Sequence, residues 1–144
     1  MVLLSLVGCH QNSRPENVYS FSGERDEFRV INGVAVVGKD DGTFCGGTLE
    51  LKDDEFVNVK EVTTRFYIDD EEEPWTILNN SVLQVDGDMV LTNQDLGKLS
   101  GQILGNHLDK KSFEDFLFFE MTVTYDDDST ESFKVPMVVQ SVLE

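Results

Sequence analysis

The sequence predicts an all-β fold, an antiparallel β-sandwich of about seven or eight strands. Three observations lead there. From Tyr19 onward, β-branched and aromatic residues alternate with polar ones; clusters of Asp, Gly and Asn separate these runs; and helical spacing is scarce. A small β-barrel is the alternative, because alternation is the same whether or not a sheet closes on itself.

The elements follow in chain order. Asn17–Ser22 reads as a short strand, and Glu27–Lys39 as a longer one that places Phe28, Val30, Val34 and Val36 on one face. Asp40-Asp41-Gly42 has the residues of a tight turn and leads into Thr43–Lys52. Strict alternation in that run puts Cys45, Leu49 and Leu51 on one face, which makes Cys45 a small, buried packing residue. Phe56–Asp69 is a further strand whose apolar parity switches between Val59 and Val62, the mark of a β-bulge. Pro74–Leu78 and Val82–Leu91 read as extended, the latter folded on itself around Asp86-Gly87. Between Asn93 and Phe116 the leucines have helical spacing, but Gly97, Gly101 and Gly105 each weaken a helix by roughly 1 kcal/mol. A Gly-rich strand or irregular crossover is expected there, with one helical turn at Asp109–Phe116.

The last pair has the strongest pattern. Phe119, Met121, Val123 and Tyr125 alternate with polar residues, Asp126–Thr130 turns the chain, and Phe133, Val135, Met137 and Val139 answer on the returning strand. Pro136 donates no backbone hydrogen bond, so it belongs at a sheet edge or a bulge.

Charge limits the partners. The chain has 144 residues, 28 of them acidic and 11 basic, for a net charge of −17. Such a molecule repels phosphate backbones, so nucleic acid is not an expected partner. With 40% hydrophobic residues it is nevertheless apolar enough to fold as one domain.

The two ends of the tether are also legible. Leu6-Val7-Gly8-Cys9 fits a bacterial lipobox, in which signal cleavage before the cysteine makes it the first residue and its sulfur carries a diacylglycerol. Met1–Gly8 contains no basic residue and reads as the tail of a signal whose front lies upstream. His10–Asn17 is polar and contains Ser13 and Pro15, as a flexible tether would. Two acyl chains on Cys9 would hold a membrane firmly where one holds marginally. Residues 1–17 are thus the residual signal and tether, and residues 18–142 the folded domain. No other run has the apolar length needed to span a bilayer.

The lipobox-like LVGC, the polar tether, the first strand YSFSGERDEF and the final hairpin MTVTYDDDSTESFKV together resemble small lipoproteins of Gram-positive bacteria with immunoglobulin-like β-sandwich domains. The resemblance implies a sandwich fold and an extracytoplasmic, membrane-anchored address. It transfers no catalytic residue.

Catalysis has little to stand on. His107 with Ser100 or Ser112 and an aspartate has the composition of a hydrolytic triad, but no nucleophile elbow surrounds either serine. The acidic turns are the remaining constellation, and Asp69, Asp70, Asp126, Asp127 and Asp128 are weak calcium candidates if their loops converge. Solvated turns that discourage edge-to-edge pairing explain the same residues without a metal. The expected function is therefore a non-catalytic, lipid-anchored binding or structural module at a bacterial cell surface, with no cofactor. A secreted hydrolase on the same fold and a calcium-dependent surface module are the alternatives.

Overall fold

In the computed structural model, residues 15–38, 41–52, 56–69, 74–83, 93–101 and 110–142 are described. They form eleven strands and one short helix. The strands are β1 (Pro15–Glu24), β2 (Phe28–Gly38), β3 (Gly42–Cys45), β4 (Thr48–Leu51), β5 (Val59–Ile68), β6 (Trp75–Leu83), β7 (Gln94–Asp95), β8 (Lys98–Gly101), β9 (Leu117–Tyr125), β10 (Thr130–Pro136) and β11 (Val138–Ser141). The helix, α1, spans Lys110–Phe116.

Two antiparallel sheets result, and they do not close into a barrel. The larger runs β11-β1-β2-β3-β8, with β4 continuing the line of β3 along β2 and carrying β7 on its far side. The smaller runs β10-β9-β5-β6. A β-sandwich is therefore the architecture, as the alternation predicts.

Aromatic side chains hold the two layers together. Eight of the ten phenylalanines (Phe21, Phe28, Phe44, Phe56, Phe66, Phe113, Phe119 and Phe133) are buried, so most of this hydrophobic mass lies between the sheets. Phe66 and Phe119 of the smaller sheet meet Phe21, Phe44 and Phe28 of the larger edge-on, at ring separations of 5.1 to 5.8 Å. Those geometries suit the ring quadrupole. Helix α1 closes one end of the interior with Phe113, whose ring lies 4.9 Å from that of Tyr19.

Pro136 stands where a missing N–H is harmless. It ends β10, an edge strand of the smaller sheet, and the chain then crosses to the edge of the larger sheet as β11. The Met137 N–H bonds to the Leu117 carbonyl at the crossing. The bulge expected between Val59 and Val62 is also present: Val59 pairs with Tyr125 and Glu61 with Thr124, which leaves Lys60 as the extra residue.

Two expectations about β2 to β4 need correction. Phe28 and Val30 face the core, but from Asn32 the parity reverses, so Ala35 and Val37 are buried while Val34 is 37% exposed and Val36 half-buried. Asn32 has a φ of 61° and forms a bulge, since Phe21 pairs with Gly33 whereas Gly23 pairs with Val30. Opposite that bulge, Gly46 and Gly47 separate β3 from β4. The run Thr43–Lys52 consequently changes parity as well: Phe44 and Leu49 point inward, and Cys45, half-buried, lies on the outer face without a disulfide.

Candidate functional site

Cys9, the residue expected to carry lipid, lies outside the described residues, as do His10, His107 and Asp70. The two serines with which His107 has the composition of a triad are both placed. The Ser100 hydroxyl shares a hydrogen bond of 3.0 Å with the Thr43 hydroxyl across β3 and β8, and Ser112 lies in α1.

Register decides the fate of the acidic turns. Ile68 pairs with Leu117 and Val59 with Tyr125, so Asp69 follows one end of β5 while Asp126, Asp127 and Asp128 sit beside the other. At 3.3 Å per residue that separation is about 30 Å. Asp69 and the Asp126–Asp128 turn do not converge, and the described residues contain no group of three His, Cys, Asp or Glu arranged to hold a metal.

Each carboxylate of these turns with a described partner is engaged within the chain. The Asp127 carboxylate accepts from the Ser129 hydroxyl at 2.6 Å and the Ser129 N–H at 3.0 Å, which holds its pKa below the ordinary aspartate value. Asp128, in a left-handed conformation at φ 69°, receives the Lys60 ammonium at 2.6 Å, and that bond raises the lysine's pKa. Asp69 takes Lys134 at 3.4 Å. Lys60, the bulge residue of β5, is thus also the residue whose ammonium meets the turn.

The outer face of the smaller sheet carries a cation and aromatic cluster. Arg65 lies 4.1 Å above the Tyr67 ring and donates to Glu120 at 2.9 Å. Lys134 lies 4.5 Å from the centre of the Phe118 ring, which stacks on Tyr67 at 5.8 Å. Burial opposes the Lys134 charge, but the Tyr67 hydroxyl and Asp69 outweigh it and hold its pKa above the ordinary lysine value. Tyr67 is only 3% exposed beneath these cations. The cluster cross-links β5, β9 and β10 and presents satisfied groups to solvent. Neither Tyr67 nor Phe118 is singled out by the sequence pattern; the long cations of Arg65 and Lys134 cover both rings.

The described surface includes two open hollows. One, of about 570 Å³, lies between the sheets where β6 faces β7 and β8 and is lined by Asn80, Ser81, Val82, Gln94, Asp95, Gly97 and Lys98. Asn80 spans it by donating to the Leu96 carbonyl at 2.7 Å. The other, of about 240 Å³, lies over the Asn32 bulge and is lined by Ser20, Phe21, Ser22, Asn32, Gly33, Val138 and Gln140. It contains no charged side chain.

No family model matches this chain, and no curated protein or solved structure matches it. Among the described residues, no helix is long and apolar enough to cross a membrane.

The metal question has a direct check. Millimolar calcium is expected to raise the melting temperature no more than equal magnesium, since both screen the same −17 charge. A saturable, calcium-only rise that Asp126→Asn, Asp127→Asn and Asp128→Asn together abolish would contradict this.

Proposed function

We propose that this chain is a non-catalytic binding or structural module held at the outer face of a bacterial cell membrane by a diacylglycerol on Cys9. The observation that carries the reading is Leu6-Val7-Gly8-Cys9 followed directly by the polar run His10–Asn17. The architecture supports it from the other side. Strand β1 begins at Pro15, so five residues separate Cys9 from the sandwich, a spacing that suits an anchored domain. Side chains fill the interior between the sheets, and the described hollows are open surface features, which suits recognition by a face better than enclosure of a small substrate.

The test uses the gene with its native upstream region, expressed in a Gram-positive host with labelled palmitate. The product is expected in the membrane fraction, with label at Cys9, and Cys9→Ala should lose both while leaving the melting temperature unchanged. A soluble, unlabelled product from the unmodified gene would end this reading.

A further inference from the structure

The two outer faces of the sandwich differ in charge. The smaller sheet displays Arg65, Glu120, Lys134 and Glu61 outward. On the larger sheet, one row across five strands reads Gln140, Ser20, Val34, Cys45 and Lys98 by direct pairing. The next row reads Val18, Val36, Thr43 and Ser100. These two rows contain no carboxylate and a single cation, although 39 of the 144 residues are charged, 28 acidic and 11 basic. The charged residues of this face collect beyond the Asn32 bulge, where Arg29 pairs with Glu50 and Lys52 with Glu24. Apolar groups stand open in and beside the rows: Val34 is 37% exposed, Val138 63% and Val142 56%.

We propose that the part of this outer face formed by the two rows without a carboxylate lies against the lipid bilayer and sets the orientation of the domain on it. The inference rests on the anchor at Cys9. The five residues between Cys9 and Pro15 let the two lie at most about 20 Å apart, and they enter β1, an interior member of this same sheet. The tether therefore delivers this sheet to the headgroups. Charge then selects the face. Anionic headgroups repel carboxylates within a Debye length of about 10 Å, and the orientation with these two rows downward keeps Glu61 and Glu120 of the opposite face farthest away. Size argues the same way. Five strands about 4.8 Å apart and a few residues deep give roughly 300 Å², well under the roughly 800 Å² per partner of a stable protein complex. A contact that small suffices when a short tether holds it at high local concentration.

Cys45 lies within the face and reports on it. The full chain with Cys9→Ser and a hexahistidine inserted after Gly8 is captured on vesicles of phosphatidylcholine and phosphatidylglycerol containing a nickel-chelating lipid. Cys45 is then the sole thiol, because the chain has two cysteines. Its reaction with a water-soluble maleimide is expected to slow about tenfold on the vesicles, an orientation preference of about ten to one. A thiol from Ser132→Cys on the opposite face, in a Cys45→Ser background, should react at its free rate. Equal slowing at both positions, or none at Cys45, would overturn the proposal. So would protection of Cys45 that rises with protein concentration without vesicles, since a second copy would then occupy the face. Capture by histidine does not depend on acylation, so failure of the lipid label at Cys9 and failure of Cys45 protection are separate results.

Discussion

Phe66→Ala is expected to destabilise the domain by about 3–5 kcal/mol, a large part of the 5–15 kcal/mol that holds a typical domain together. Phe66 stands on β5 and is 1% exposed. Its ring meets Phe44 at 5.1 Å and Phe21 at 5.5 Å on the opposite sheet, and Phe119 at 5.0 Å on its own. Truncation removes transfer energy and contacts to both layers together. The space left cannot collapse easily, because the surrounding rings are pinned by strands on either side. The control is Thr63→Ala, three residues earlier on the outer face of the same strand, where a change within about 0.5 kcal/mol is expected. Urea unfolding with an unchanged m-value measures both. A loss below about 1 kcal/mol for Phe66→Ala would mean that the two sheets do not pack through this residue.

Much of this architecture was written in the alternation, and its failures have one cause. The final hairpin was legible because Phe119 to Val123 and Phe133 to Val135 keep strict period two, and the structure buries them together. The Lys60 bulge was legible because Val59 and Val62 are apolar with the wrong parity between them, a contradiction that only an inserted residue resolves. Around Asn32 and Gly46-Gly47 the sequence offers apolar residues on both parities, so no contradiction appears and a straight strand reads equally well. The clue was residue type: asparagine and glycine tolerate the left-handed backbone that both sites adopt, at φ 61° for Asn32 and 81° for Gly47. That single misreading assigned Cys45 to the wrong face and joined β3 to β4. The strand count rose to eleven for related reasons, as runs read as continuous break where the chain turns parity or changes sheets. For the candidate site, residue identity named the acidic turns, but only register showed that they stand at opposite ends of β5.

Gly47→Ala tests the paired irregularity directly, and a loss of about 3 kcal/mol or more is expected. Two costs combine. At φ 81° an alanine occupies a conformation that costs L-residues roughly 1–2 kcal/mol. Its Cβ would also lie 2.1 Å from the Ile31 carbonyl oxygen and 2.8 Å from the Gly33 nitrogen, both backbone atoms of the bulged strand facing it. Backbone cannot rotate aside as a flexible side chain would, so relief requires the β2 bulge or the β3–β4 break to shift. Either shift disturbs the parity reversal that buries Phe44 on one side of the break and Leu49 on the other, both 0% exposed. Cys45→Ala, two residues away on the outer face, should change stability by no more than about 0.5 kcal/mol. The comparison of the two urea midpoints therefore separates backbone geometry from local sequence change. If Gly47→Ala proved as mild as Cys45→Ala, the close approach of the two strands at this level would be wrong, and with it the placement of Cys45 on the outer face.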